Sequence, residues 1–92
     1  MIRATSLISY YEILTKLNER QKQVLLTIKK IQPCNNLQIS NYLNLPINSI
    51  TPRCKELRDK GIVIYHHTGA CPITLRASRF YIIKSYISES ME

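Results

Sequence analysis

The chain has 92 residues, 45% of them hydrophobic, which is enough for one packed core and excludes an intrinsically disordered chain. Its 13 Lys and Arg residues outnumber its 6 Asp and Glu residues, and the formal charge of +7 attracts polyanions, nucleic acid first and an anionic membrane surface second. The 2 glycines provide little material for a glycine-rich phosphate loop, and no apolar run has the length of a membrane-spanning helix.

The cysteines and the first residues bear on cellular location. Cys34, Cys54 and Cys71 are an odd number, and "MIRATSLISYY" lacks the long apolar stretch and the cleavage site of a secretory signal. Reduced thiols therefore fit the sequence better than a disulfide framework. We expect a cytoplasmic protein without a membrane partner.

Capping signals and apolar residues at helical spacing predict four helices. The first two begin at capping boxes, Ser9 with Glu12 and Asn18 with Gln21, and Pro33 closes the second. Asn35 and Asn36 are candidate caps for the third helix. The predicted spans are 9–17, 18–32, 36–43 and 47–60.

Two residues that tolerate a left-handed backbone mark the second half of the chain. Asn44 turns the chain between the third and fourth helices, and Gly61 ends the fourth. β-Branched and aromatic residues then predict paired strands over 62–67 and 79–84, joined by a loop of about eleven residues. Residues 1–84 are predicted to form a single domain, with 62–84 as its hairpin, followed by a C-terminal tail, 85–92.

This order of elements is that of a winged helix-turn-helix domain. The segment "ISNYLNLPINSITPRCKELRDKGIV" resembles the helix-turn-helix core of MarR-type winged-helix regulators. That pattern has a small residue after an apolar one, a turn residue four positions later, and a helix ending L-x-x-x-G before two apolar residues. Ser40, Asn44, Leu57 and Gly61 occupy these places, although the family usually has Gly at the turn and often Ala in place of Ser40.

The chain also resembles small winged-helix proteins of phages and prophages. Those tend to read LPxNSVTPRxxELxxKG, followed by a wing containing CPxTGR, and here "LPINSITPRCKELRDKG" and "CPITLRAS" occupy those places. The resemblance covers 9–84. It implies a mainly α, α+β winged helix-turn-helix of three to four helices plus a two-stranded β-hairpin wing. It also implies a small DNA-binding transcriptional regulator of phage or prophage type.

Pro52 lies near the start of the fourth helix, the part of a recognition helix that faces base edges in the major groove. If Asn48 is the N-cap, the proline removes one hydrogen bond, to the carbonyl of residue 48. If Thr51 is the N-cap, the proline occupies the first helical position, where its missing N–H costs nothing. Under either cap, Pro52 punctuates the helix and stiffens its first turn.

Side chains on the fourth helix are predicted to contact DNA. Asn48, Ser49 and Thr51 are short hydrogen-bonding residues that suit bases, phosphates or helix capping. Arg53 and Lys55 suit phosphates, and Arg53 also suits a guanine edge. Each of them is alternatively a solvated surface residue.

The wing supplies the second predicted contact. Arg76 and Arg79 lie in or beside the loop 68–79, where they suit the DNA backbone or the minor groove, unless they only keep the loop soluble. Glu56 and Asp59 on the fourth helix oppose DNA binding, so that helix is not a uniform basic ridge.

His66, His67 and Cys71 raise the question of a zinc site. Adjacent strand residues point to opposite faces, so we do not expect both histidines to ligate one ion. We expect no metal, no cofactor and no small-molecule ligand. No catalytic motif is evident, so we do not expect an enzyme.

The sequence therefore predicts sequence-specific binding of double-stranded DNA by helix 47–60 and wing 68–79. A homodimer is expected, because one recognition helix covers few base pairs. The alternative is a protein–protein interaction module on the same scaffold, in a phage or host assembly. RNA or single-stranded binding is a weaker alternative, since no aromatic stacking platform is evident.

Overall fold

A computed structural model describes residues 12–84 and shows helices followed by a two-stranded antiparallel sheet. The first helix, α1, covers 12–16 among the described residues. The other elements are α2 (Glu19–Ile31), α3 (Asn36–Leu43), α4 (Ile47–Asp59), β1 (Val63–Ala70) and β2 (Ala77–Ile83). The predicted α+β class with a winged-helix-like layout is confirmed. Ser9 and the tail 85–92 lie outside the described residues.

Reciprocal capping boxes begin α2 and α3. The Asn18 side chain accepts a hydrogen bond from the Gln21 N–H at 2.8 Å, and the Gln21 side chain accepts one from the Asn18 N–H at 3.0 Å. Asn35 and Gln38 repeat both bonds, so Asn35 is the cap of α3 and Asn36 is its first residue. A cap of this kind stabilises a helix by about 1 kcal/mol.

Left-handed residues end α3 and α4, as predicted. Asn44 has φ of 54° and turns the chain between the two helices, while Gly61 has φ of 76° after α4. The Asn44 turn connects α3 to α4, and the two helices pack against each other.

The cap of α4 differs from the prediction, although the helix begins at the predicted residue. The helix begins at Ile47 with Pro46 in the cap position, so Asn48 and Thr51 are both inside the helix, and neither predicted cap is correct. The fixed φ of Pro46 sets the helical direction early, although a proline has no side chain that can bond the first N–H groups. Pro52 therefore lies within the helix, where it has no N–H to donate to the carbonyl of Asn48.

The core lies where α2, α3 and α4 meet the base of the hairpin. Its fully buried members are the apolar residues Val24, Leu25, Ile28, Cys34, Ile39, Ile50, Cys54, Leu57, Val63 and Ile83. Cys54 is thus a core residue. Ile47 is exposed, because it lies at the open end of α4.

The hairpin has longer strands and a shorter loop than predicted. Antiparallel pairing runs from Val63–Ile83 to Ala70–Ala77, which leaves 71–76 as the loop. The Cys71 N–H donates to the Arg76 carbonyl at 2.8 Å, and this bond closes the loop.

A β-bulge interrupts β1 between Tyr65 and His67. Because of the bulge, the rings of His66 and His67 meet edge to face, with their Nδ1 atoms 2.7 Å apart. The expectation that they point to opposite faces is therefore wrong. Within residues 12–84, no three His, Cys, Asp or Glu side chains gather as metal ligands.

A short backbone pairing fastens the hairpin to the helices. Cys34 and Tyr81 exchange two hydrogen bonds, of 3.1 and 2.8 Å, directly ahead of α3. The Gln32 side chain also accepts a bond from the Ile83 N–H at 2.9 Å. Sequence periodicity does not reveal these contacts, because they join residues about 50 positions apart. None of the helices described for 12–84 has the length and hydropathy needed to cross a bilayer.

Candidate nucleic-acid interface

An open cleft separates the start of α4 from the wing. Its volume is about 530 Å³, and both walls carry predicted DNA contacts, Thr51 on one side and Arg76 and Arg79 on the other. The first residues of α3, Asn36 and Leu37, form its floor. No acidic side chain is found among the described residues that line it. The cleft therefore lies between the two predicted contact regions, and the charged side chains that line it are basic.

The predicted residues at the start of α4 are accessible. Asn48, Thr51 and Pro52 are exposed, and Ser49 is half-buried. Thr51 faces the cleft, whereas Asn48, Pro52 and Lys55 follow one another along the outer face of the helix. Apart from the exposed Ile47, the accessible side chains at this end of α4 are polar or proline.

Arg53 forms an ion pair within the protein. Its Nη2 lies 2.8 Å from Oε2 of Glu56, and its side chain is only 30% exposed. The other oxygen, Oε1, accepts a bond from Nε2 of Gln21 on α2 at 2.8 Å. The Gln21 bond first, and then Arg53, hold the pKa of Glu56 below its ordinary value. A guanine contact by Arg53 requires this ion pair to open.

Lys55 has a looser partner. Its Nζ is 3.3 Å from Oδ2 of Asp59, one turn along α4, and both side chains are largely exposed. Exposed pairs of this spacing contribute only about 0.3–0.5 kcal/mol. Lys55 can therefore exchange the carboxylate for a phosphate at small cost.

Arg79 also borders a second cleft, of about 460 Å³, on the side of the hairpin that faces α4. Arg58 of α4 lines it and places its guanidinium carbon 4.5 Å from the centroid of the Tyr81 ring. Arg58 is not among the predicted contacts. Its position seven residues after Thr51, two helical turns along the same side of α4, is the signal that indicates it.

The base of the wing loop is tied to the cap of α3. Nδ2 of Asn35 donates to Oγ of Ser78 at 3.2 Å. The Cys71 thiol, only 2% exposed, has its pKa lowered to about 7, first by a hydrogen bond from the Thr74 backbone and then by further bonds that include the Asn35 side chain. These contacts fix the end of the loop against the floor of the first cleft.

The outer end of the loop is apolar. Leu75 is 80% exposed and Ile73 is 44% exposed. Leu75 also has a left-handed backbone, with φ of 63°, which costs about 1–2 kcal/mol for a residue with a side chain.

No family model, curated protein or solved structure matches this chain. Function is therefore inferred from the geometry and charge of the surface around α4 and the wing.

Proposed function

We propose that this protein binds double-stranded DNA sequence-specifically, as a transcriptional regulator, with α4 in the major groove and wing 68–79 on the backbone or in the minor groove. The observation that carries the proposal is the first cleft. It lies between the polar start of α4 and the arginines of the wing, and its described lining contains basic side chains but no acidic ones.

The two parts of this surface have different tasks. Asn48 and Thr51 are exposed on the first turns of α4, where their short side chains reach base edges. Arg76 and Arg79 neutralise phosphates, which adds affinity without reading sequence. Pro52 holds the outer face of the helix rigid without a long side chain that would keep the bases at a distance.

A single α4 covers few base pairs, so the proposal includes a homodimer that binds two half-sites about 34–36 Å apart. Three free thiols, all buried, suit a reducing compartment, which supports a cytoplasmic location.

Selection of preferred sites from a random pool of duplexes, followed by a salt titration, tests the proposal. The wild type should enrich a short motif and lose affinity steeply as salt rises. Arg76→Ala with Arg79→Ala should weaken all duplexes and lower the log–log salt slope by roughly 2, if each arginine neutralises one phosphate. Lys30→Ala removes an exposed charge at the end of α2 and should preserve the slope.

Absence of binding to any duplex at low salt, with the fold intact by circular dichroism, would overturn the proposal. The protein–protein docking module would then be the better account of the same surface.

A further inference from the structure

Leu75 is unfavourable in two respects, its exposed side chain and its backbone conformation. Its side chain is 80% exposed, so it gains almost nothing from packing, and its φ of 63° is a conformation that suits glycine or asparagine. The loop holds it there, because its N–H donates to the Cys71 carbonyl at 2.7 Å and the next residue, Arg76, accepts from the Cys71 N–H. An exposed leucine kept in a strained conformation indicates a surface that acts on something outside the chain.

The surroundings of Leu75 indicate what that partner is. Thr74 and Arg76, its two neighbours, both line the first cleft, so the leucine projects from the loop beside the proposed DNA path. Ile73 is the second exposed apolar residue of the same tip. The tip thus combines two apolar side chains with a cation, next to a cleft that also carries Arg79.

Minor grooves accept this combination. Apolar side chains enter between base pairs, unstack one step and kink the duplex, while neighbouring basic residues hold the backbone. Two side chains expose little apolar area for a membrane anchor, which needs a longer amphipathic face. The basic cleft beside the tip favours a polyanion with grooves over an apolar protein pocket.

Building on the proposed function, we infer that Leu75 is a wedge that inserts between two base pairs of the minor groove and bends the bound duplex. Ile73 packs beside the opened step and Arg76 binds an adjacent phosphate. Pyrimidine–purine steps unstack most readily, so the selected sites should carry TA or CA at a fixed distance from the motif that α4 reads.

The test compares Leu75→Asn with Leu75→Met on a selected duplex of about 30 base pairs, with a donor dye at one end and an acceptor at the other. Asparagine tolerates the left-handed backbone and removes the apolar wedge, whereas methionine keeps it. Leu26→Gln, which changes a 44% exposed leucine on α2, is the control.

We expect Leu75→Asn to abolish the rise in energy transfer, to lose the TA or CA preference and to weaken binding by roughly tenfold. Its melting temperature should be unchanged or higher by roughly 4 °C, because the backbone strain is relieved. Leu75→Met and Leu26→Gln should bend the duplex as the wild type does. Loss of bending with unchanged or greater stability separates a wedge from a structural residue.

Equal bending and equal step preference in Leu75→Asn and the wild type would overturn the wedge and leave DNA binding standing. Failure of the wild type to bind any duplex would overturn both. Binding to phosphatidylserine vesicles that depends on Leu75, without any effect on the duplex, would replace the wedge with a membrane contact.

Discussion

Glu56 holds one side chain from each of two helices, since it binds Arg53 on α4 and Gln21 on α2. These bonds favour the carboxylate in the folded state, so the pKa of Glu56 lies below its ordinary value of 4.5. The stability that this group contributes is therefore present above pH 4.5 and is lost as the pH falls through the lower, folded pKa.

Glu56→Gln should consequently be less stable than the wild type at pH 7 and should show a shallower loss of stability below pH 4.5. Urea unfolding at several pH values measures both effects. The same change releases Arg53 and removes a negative charge from α4, so duplex binding should become tighter. Identical acid limbs in the two proteins would contradict the assignment.

The three thiols should differ sharply in reactivity. Burial raises the pKa of Cys34 to about 12 and that of Cys54 to about 11, whereas hydrogen bonds from the Thr74 backbone and other donors lower that of Cys71 to about 7. Because the thiolate is the nucleophile, iodoacetamide at pH 8 should modify Cys71 first. Peptide mass mapping measures the order, with Cys71→Ser as control. Faster modification of Cys54 would show that access outweighs thiolate fraction.

Among the elements, α4 ends at a residue with a left-handed backbone, Gly61. Gly61 has φ of 76°, and a Cβ added there meets nothing within 4 Å, so only the backbone requires glycine. Gly61→Ala should cost about 1 kcal/mol, and Gly61→Asn should cost less, because asparagine tolerates the left-handed region better. Chemical denaturation measures both variants. A loss in Gly61→Asn as large as that in Gly61→Ala would mean that the side chain, and not the backbone angle, decides.

The accuracy of the sequence predictions follows the range of the interactions. The capping boxes at Asn18 and Asn35 act within four residues, and both helix starts are predicted from sequence. The loop length depends on how far β1 and β2 pair beyond the bulge at His66, which the residues of each strand do not reveal. The first residue of α4 is predicted correctly but its cap is not, because Pro46 occupies the cap position and makes no side-chain hydrogen bond that a capping residue would signal.

For the candidate site, the sequence indicates which residue types lie near the cleft, but it does not indicate how each side chain is oriented. Arg76 and Arg79, which are predicted from their place in the wing, line the cleft, and their contact with DNA stays a prediction. Arg53 does not project freely, because its partner Glu56 is fixed by Gln21 from a helix 35 residues away. Leu75 is not among the predicted contacts. A sequence signal for its left-handed backbone is the wing pattern CPxTGR, which has glycine at the place of Leu75.

At the scale of the whole molecule, the net charge is +7, and only some of the basic residues form ion pairs. The described carboxylates on α4 are both paired with basic residues of the same helix, which reduces their repulsion toward a polyanion. The arginines of the two clefts, Arg58, Arg76 and Arg79, take part in none of the ion pairs found among the described residues. Under the proposed function, the net charge attracts DNA from a distance, and the arginines outside these ion pairs mark the face that receives it.

The bridge between Cys34 and Tyr81 has a mechanical consequence for that face. It joins β2 to the chain directly ahead of α3 by two backbone hydrogen bonds, which restrain the hairpin relative to α3 and α4. The distance between the hairpin and these helices is therefore set by the protein itself. If the protein binds DNA as proposed, a duplex between α4 and the wing should adapt its own groove width, and sequences that deform easily should be favoured even at base pairs that no side chain touches.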